Sequence, residues 1–346
     1  MAALLDVRDL SVVFGRRGTA PFTAVDRVSF TVEPGQTVGL VGESGCGKSV
    51  TSLAIMGLLP RRGNTVSGQV CFEGVDLLRL SAADLRDRRG RDIGMIFQDP
   101  LSSLNPVIPI GLQVAEVLQR HQGKDKRESM SAARELLDAV GIPDPARRLT
   151  EYPHQISGGM RQRALIAIAL ACRPRLLIAD EPTTALDVTI QAEILDLLRA
   201  LKDEFDLTML LITHDLGVVA ETADRVAVMY AGRIVEEAPV RELFRAPRHP
   251  YSEGLLRSVP RLTEAGIRQR RLQTIEGSVP GLLELPAGCK FAPRCAYVIR
   301  ECTEGEPALL AVNDEHRARC IRFDRVGDDS AKTHPQRAGE GIVAAD

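Results

Sequence analysis

The stretch GESGCGKS, residues 42 to 49, constrains the fold of this chain more than any other part of its sequence. It follows the short apolar run TVGLV and precedes SVTSLAIMGLL, which has helical periodicity. A glycine-rich turn between a strand and a helix lets backbone N–H groups wrap a phosphate, while a lysine adds positive charge and a serine hydroxyl can bind magnesium. The sequence therefore predicts a nucleotide-phosphate site, with Lys48 and Ser49 as its charged and hydroxyl groups.

Short apolar runs elsewhere predict an α/β fold. Alternating residues in LLDVRDLSVVF and AVDRVSFTV, followed by a turn at Pro34 and Gly35, predict antiparallel strands. A buried parallel sheet is predicted from five further runs, TVGLVG, DIGMIFQ, LLIADEP, TMLLITHD and RVAVMYAG. Between the second and third of these runs the chain has helical periodicity and no convincing strand. We therefore expect a helical insertion at about residues 99–172.

Length, charge and apolar content limit the classes of protein to which this chain can belong. With 346 residues we expect one large domain and a smaller second one. The 44 basic and 46 acidic side chains leave a net charge of -2, which gives no reason to expect a nucleic-acid partner. The longest apolar run, ALIAIALAC, is far shorter than the roughly 20 residues that span a bilayer. We expect a cytosolic protein unless a partner holds it at a membrane.

Two adjacent carboxylates end the apolar run RLLIADEP. Next to a phosphate loop, Asp180 is suited to hold the magnesium shell and Glu181 to polarise the attacking water. An acidic pair at a strand end is often only a solvated turn, so this interpretation depends on the phosphate loop.

An ordered set of further motifs resembles the ATPases of ATP-binding cassette (ABC) transporters over residues 1 to about 240. It comprises Gln98 after MIF, ISGGMRQR at 156–163, ALD at 185–187 and His214 in ITHD. The resemblance implies an ABC-type nucleotide-binding domain of the P-loop NTPase class, with a parallel sheet core, an antiparallel β subdomain and a helical subdomain. It further implies that Gln98 touches magnesium and senses the membrane partner, that Asp187 lies at a dimer seam, and that His214 lies near the γ-phosphate.

The same resemblance implies a full set of site residues. Lys48, Glu181 and His214 would be catalytic, and Ser49, Gln98 and Asp180 would hold Mg2+. ATP contacts are implied for Phe14 against adenine and for Gly42, Ser44, Gly45, Cys46, Gly47, Lys48, Ser49, Val50 and Gln98. The signature turn would meet ATP held by a partner cassette through Ser157, Gly158, Gly159 and Met160. Met160 stands where a glutamine is usual, a form found in peptide-importer ATPases, and nothing in the chain predicts loss of hydrolysis.

Three further stretches resemble the ATPase subunits of oligopeptide and dipeptide importers, to about residue 325: FQDPLSSLNPVIPIG, RHPYSEGLLRSVP and GCKFAPRC. The resulting division is a nucleotide-binding domain at 1–240, a C-terminal extension at 241–325 and a disordered tail at 326–346. The expected function is an ATPase of the translocase class that energises peptide uptake. An importer of nickel or another small solute is the first alternative, and a soluble ABC ATPase of DNA repair or translation is the second.

The implied partners are a second, distinct ABC ATPase, two transmembrane permease subunits and an extracytoplasmic substrate-binding protein, with no nucleic acid. They would hold the chain peripherally on the cytoplasmic face of the inner membrane.

Four of the seven cysteines crowd into the extension: Cys289, Cys295, Cys302 and Cys320. An odd cysteine count in a reducing compartment favours metal or redox chemistry over disulfides. Gaps of five, six and seventeen residues fit structural zinc poorly, while four thiolates can hold an iron–sulfur cluster. Some peptide-importer ATPases carry a 4Fe-4S cluster here, so the resemblance implies one; zinc and unligated thiols remain alternatives, and the extension could also act as a redox-sensing or docking module.

Two further expectations concern packing around cysteines. The extension from about residue 241 has few large apolar residues for a core, so a bound metal is expected to supply part of its folding free energy, in a domain separate from Lys48 and Glu181. Cys71 and Cys172 have no partners in sequence and are expected to be buried as small apolar side chains.

Overall fold

A computed structural model describes residues 3–15, 20–60, 62–184, 186–258, 275–328, 330 and 332. Most of the expected disordered tail at 326–346, and Ala185 of the ALD motif, lie outside these residues. Within the described ranges, no helix combines the length and apolar character needed to cross a bilayer.

A four-stranded antiparallel sheet contains the two predicted N-terminal strands. Its strand order is β2-β1-β4-β5. The strands are β1 (Leu5–Phe14), β2 (Phe22–Val32), β4 (Asn64–Phe72) and β5 (Val75–Asp76). Neither β4 nor β5 is predicted from the sequence. Gly68 interrupts the strand pattern of β4; a Cβ atom at Gly68 would lie 2.5 Å from the Asp9 carbonyl oxygen. β5 has only two residues, too few to show a pattern.

An eight-stranded sheet forms the centre of the molecule, in the order β11-β12-β10-β9-β3-β8-β7-β6. The strands are β3 (Thr37–Val41), β6 (Ile93–Ile96), β7 (Leu176–Asp180), β8 (Thr208–Thr213), β9 (Arg225–Tyr230), β10 (Arg233–Pro239), β11 (Leu310–Ala311) and β12 (Arg317–Ala318). The five predicted apolar runs form the parallel strands β9, β3, β8, β7 and β6. Because parallel strands carry their carboxyl ends at one edge, the loops after β3, β7 and β8 meet there.

Helices surround this sheet. The α-helices are α1 (Lys48–Ile55), α2 (Ala82–Arg88), α3 (Pro100–Ser103), α4 (Ile110–Gln122), α5 (Lys126–Ala139), α6 (Pro145–Arg148), α7 (Gly158–Leu170), α8 (Val188–Phe205), α9 (Leu216–Thr222), α10 (Val240–Arg245), α11 (Pro250–Ser258) and α12 (Glu301–Glu304). Short 3-10 helices cover Leu77–Arg79, Pro153–Gln155 and Ala292–Arg294. Helices α3 to α7 fall between β6 and β7, where the sequence predicts a helical insertion.

The extension packs directly on the central sheet. β12 pairs antiparallel with β10, with Glu236 opposite Ala318, so the extension continues the sheet. Glu236 is fully buried, and its carboxylate accepts the backbone N–H groups of Arg248 and His249 and lies 2.7 Å from Nε2 of His316. A buried carboxylate with several hydrogen-bond partners stabilises the join.

An aromatic core also joins the extension to the sheet. Tyr251, Phe291 and Tyr297 are buried in one cluster with Tyr230 of β9. The rings of Tyr230 and Tyr251 are 4.7 Å apart, and Phe291 meets Tyr230 edge-on at 5.2 Å. This corrects the expectation of a small core, because the extension shares apolar surface that the sheet already supplies. It also brings the extension against the domain that carries Lys48.

Candidate nucleotide site

The predicted phosphate loop connects the end of β3 to the start of α1. Gly47 closes the turn with a left-handed φ of 108°. A Cβ atom at Gly42 would lie 2.2 Å from the Met229 carbonyl oxygen, so only glycine fits there. The Lys48 ammonium is buried and donates to the carbonyl oxygens of Gly42 at 2.8 Å and Glu43 at 3.1 Å. Lys48 thus lies across the inside of a tight loop, as phosphate binding requires.

Asp180 ends β7 beside this loop and is buried. Its carboxylate accepts the hydroxyl of Ser49 at 3.1 Å and that of Ser52 at 3.2 Å. Burial raises the pKa of Asp180, and these two hydrogen bonds partly offset that effect. A hydroxyl and a carboxylate in contact are oxygen ligands of the kind that magnesium prefers, so Ser49 and Asp180 fit the ion.

Glu181 lies next to Asp180 and gathers three polar side chains. Its carboxylate accepts the Gln98 amide at 3.1 Å and the Thr184 hydroxyl at 2.7 Å, and Nδ1 of His214 lies 3.4 Å away. Burial by itself would raise the pKa of Glu181, but the Thr184 and His214 contacts outweigh it and the pKa lies below its usual value. The carboxylate is therefore ionised at neutral pH and able to accept a proton or hydrogen bond.

The backbone at Glu181 is strained. Its φ of 47° lies in the left-handed region, which non-glycine residues rarely adopt. Its N–H donates to the Ile212 carbonyl of β8 at 2.8 Å, which holds the peptide in place. Strain of this kind is typical of functional sites.

The signature turn lies at the start of α7. Ser157 caps this helix by accepting the Met160 N–H at 3.3 Å, and Ser157 and Gly158 are exposed. A Cβ atom at Gly159 would lie 2.9 Å from Ile190 of α8, the helix that Asp187 caps. The structure thus brings the signature turn close to Asp187. Among the described residues no hydrogen bond joins this turn to the phosphate loop.

Phe14 and Phe22 stack at the ends of β1 and β2. Their ring centroids are 5.5 Å apart, with an angle of 24° between the planes. Both rings are half-buried. The adenine contact that the sequence suggests for Phe14 stays a prediction.

The four clustered cysteines line one cavity in the extension, together with Phe291 and Tyr297. The N–H of Cys289 donates to the Cys302 carbonyl at 2.8 Å, which closes the loop between them. Backbone N–H groups also reach two of the sulfurs, from Tyr297 to Cys295 at 3.3 Å and from Arg322 to Cys320 at 3.4 Å. N–H donors to sulfur are typical of thiolate metal sites.

Burial raises the pKa of Cys289 to about 11 and that of Cys320 to about 12, and neighbouring cysteines add to both shifts. Within the described ranges, no group of three or more His, Cys, Asp or Glu residues is arranged to hold a metal ion. Cys71 and Cys172 are only half-buried, whereas the sequence analysis expects both to be buried.

Three residues near the loop have no role in the sequence analysis. The N–H of Glu43, the second loop residue, donates to the Tyr251 hydroxyl at 2.8 Å. The guanidinium of Arg294 donates two hydrogen bonds to the Glu43 carboxylate. Arg294 lies inside the quoted GCKFAPRC and Tyr251 inside RHPYSEG, but only the packing of the extension shows that both reach the loop.

The chain matches two family profiles. One, described as ABC transporter, matches residues 25–184, and the other, described as oligopeptide/dipeptide transporter, C-terminal region, matches residues 235–302. Curated relatives extend over most of the chain. One from Brucella melitensis is 56% identical over 332 residues, which are 93% of this chain and 98% of the relative. The dipeptide transport ATP-binding protein DppD of Escherichia coli is 51% identical over 318 residues, 92% of this chain and 96% of the relative.

Solved structures agree with the fold. The dimeric post-hydrolysis ATP-binding cassette MJ0796, bound to ADP and Pi, has a TM-score of 0.61 and 28% identity, covering 68% of this chain and 99% of that one. CbiO1 of Clostridium perfringens, part of the transporter complex cbiONQ, has a TM-score of 0.58 and 26% identity, covering 71% of this chain and 92% of that one.

Proposed function

The chain belongs to the ATP-binding subunits of ABC transporters, in the branch with the oligopeptide/dipeptide transporter C-terminal region. We propose that it hydrolyses ATP to drive peptide import. The observation that carries the proposal is the meeting of residues that follow four strands, β3, β6, β7 and β8. Ser49 contacts Asp180 at the end of β7, and Glu181 beside it contacts Gln98 and His214. These are the groups that phosphoryl transfer to water needs in one place.

We assign the following roles. The N–H groups of the loop and the Lys48 ammonium bind the β- and γ-phosphates of ATP, with contacts from Gly42 and from residues 44–50. Glu181 accepts a hydrogen bond from the attacking water, and His214 orients that carboxylate near the γ-phosphate. Ser49 and Asp180 hold Mg2+, with Gln98 brought to it as the membrane partner moves. When bound, the ion neutralises charge on the phosphates.

The signature turn supports a head-to-tail pair of cassettes. Ser157 and Gly158 are exposed at a helix start, where free N–H groups favour an anion. We infer that this turn, with Gly159 and Met160, closes over ATP on a second cassette, and that Asp187 lies at the seam. Closure on ATP and reopening after hydrolysis would transmit force to the permeases through the segment after Gln98.

Importers of this family work with transmembrane permeases, so the chain is membrane-associated. We propose a distinct second ATPase as its cassette partner, two permease subunits, a substrate-binding protein outside the membrane, and a position on the cytoplasmic face. Two identical cassettes beneath the permeases in a single-particle image would reject the distinct partner. Domain limits at 1–240, with a helical subdomain at 99–172, and at 241–325 remain part of this proposal.

We also propose that the four-cysteine cavity holds a 4Fe-4S cluster through Cys289, Cys295, Cys302 and Cys320. The support is the convergence of these four thiols on one cavity with N–H donors to two sulfurs. When bound, the cluster would supply folding free energy to the extension. Anaerobically purified protein should then be brown and contain about four irons per chain. One zinc per chain and no iron would replace the cluster with a zinc site.

Replacement Glu181→Gln tests the main proposal. The amide keeps the size of the side chain but loses the proton acceptor, so ATP binding should remain while turnover falls about 100-fold or more. Reconstituted with its permeases in vesicles, the wild-type complex should take up peptides only with ATP, and the Glu181→Gln complex should not. Turnover near the wild-type rate would remove Glu181 from its assigned role.

A further inference from the structure

Arg294 links the cysteine-bearing extension to the phosphate loop. Its Nη1 donates to Oε2 of Glu43 at 2.7 Å, and its Nη2 donates to Oε1 at 3.1 Å. Its Nε donates to the Glu276 carbonyl at 3.1 Å. The arginine side chain is 5% exposed, so this two-pronged ion pair is shielded from water on one side. Paired hydrogen bonds of this geometry are among the strongest that side chains make.

Aromatic rings fix the direction of this arginine. The guanidinium lies 5.8 Å from the centre of the Tyr230 ring and 5.9 Å from that of Phe291. Phe291 also lines the cysteine cavity, and Cys295 follows Arg294 in the chain. The position of Arg294 therefore depends on the packing around the four cysteines.

Glu43, the second residue of the phosphate loop, makes several hydrogen bonds within and beyond the loop. Its carbonyl accepts the Lys48 ammonium at 3.1 Å and the Cys46 N–H at 3.3 Å, while its own N–H donates to the Tyr251 hydroxyl. Its carboxylate is a negative charge in the loop that would wrap a triphosphate. Such a charge would repel the phosphates, and pairing it with the Arg294 guanidinium would weaken that repulsion.

We propose that Arg294 is a positioning residue for the nucleotide site, which holds the Glu43 carboxylate and neutralises it so that the loop accepts the triphosphate. This inference rests on the proposed ATPase function. It assigns to the extension a direct part in ATP binding, made by a residue that does not itself touch ATP.

The test is a pair of substitutions in the assembled complex with its permeases. Arg294→Met leaves the Glu43 charge unpaired, so the KM for ATP should rise about tenfold while kcat changes less than about threefold. Adding Glu43→Gln to Arg294→Met removes that charge and should return KM most of the way to the wild-type value. Arg294→Lys, which keeps the positive charge but donates from a single nitrogen, should give an intermediate KM.

Arg319→Met is the matched control. Arg319 is also in the extension and donates to the carbonyls of Ile234 and Pro307, so it ties the extension to the sheet, and none of its hydrogen bonds to described residues reaches the loop. It should lower the melting temperature and leave KM near the wild-type value. An unchanged KM in Arg294→Met, an equal KM rise in Arg319→Met, or no recovery in the double variant would overturn the inference.

The two proposals fail differently. If the wild-type complex does not hydrolyse ATP, the proposed function fails. If the wild-type complex is active and Arg294→Met retains its KM, only the positioning role fails.

Discussion

The phosphate loop and the cysteine cavity differ in how the chain builds them. The loop consists of eight consecutive residues that run from the end of β3 into the first turn of α1, with tight turns at Gly42 and Gly47. The cavity draws four cysteines from residues 289 to 320, where the helices and strands are only two to four residues long. The backbone turns of the loop are local, although Glu43 within it also contacts Tyr251 and Arg294 of the extension, whereas the cavity is assembled from separate pieces and depends on all that packs around it.

This difference predicts opposite results for substitution in the two regions. A change in the loop should alter ATP binding and leave the fold intact. A change in the cavity should first alter stability. Three variants test this difference between the two regions.

The largest effect is expected at Cys295, which is buried in the cavity. Cys295→Ser removes one cluster ligand, so the protein should lose iron and the free energy of unfolding should fall by about 4 kcal/mol or more. Iron analysis and chemical unfolding of the complex measure both. Cys172→Ala, at a half-buried cysteine outside the cavity, should keep its iron. A Cys295→Ser protein with wild-type iron would remove Cys295 from the ligand set.

The second-largest change in free energy is expected at Lys48, and it concerns ATP binding and not the stability of the fold. Lys48→Ala removes a buried charge from the phosphate site, so ATP affinity should fall by about 2–3 kcal/mol, or roughly 30- to 150-fold. Equilibrium binding of ATP to the complex measures the loss, and the melting temperature without nucleotide should change little. Unchanged affinity would contradict the phosphate role of Lys48, and a large drop in melting temperature would contradict the local character of the loop.

The smallest effect is expected at Tyr251, which joins the two regions. Tyr251→Phe keeps the aromatic packing but leaves the Glu43 N–H without its acceptor, at a cost of about 1–2 kcal/mol. Both the free energy of unfolding and the KM for ATP should shift modestly. A shift in stability alone would mean that the loop keeps its shape without support from the extension.

The sequence predicts much of the central fold because its signals are local. The apolar runs of β3, β6, β7, β8 and β9 are buried strands, and all five lie in the parallel part of the sheet. The sequence analysis assigns Ser49 and Asp180 to one magnesium site; the two side chains are hydrogen-bonded to each other, and their magnesium role stays a prediction. Strands β11 and β12, with two residues each, are too short to carry a pattern.

The remaining features depend on contacts between residues far apart in sequence. Arg294 and Glu43 are separated by 251 positions, and no periodicity relates them. The sequence predicts too small a core for the extension for the same reason, since Phe291 packs on Tyr230 of a strand outside it. Contacts between residues far apart in the chain produce no pattern in the local sequence.

The pairing of β12 with β10 has a consequence for aggregation. Without the extension, β10 would end the central sheet as an exposed edge, with unpaired N–H and C=O groups opposite Arg317 and Ala318. Such an edge is a template for another chain. β12 and β11 cover it, and β11 is itself only two residues long, too short to recruit a neighbour readily. We therefore expect loss of the extension to favour pairing of this edge with another copy of the chain.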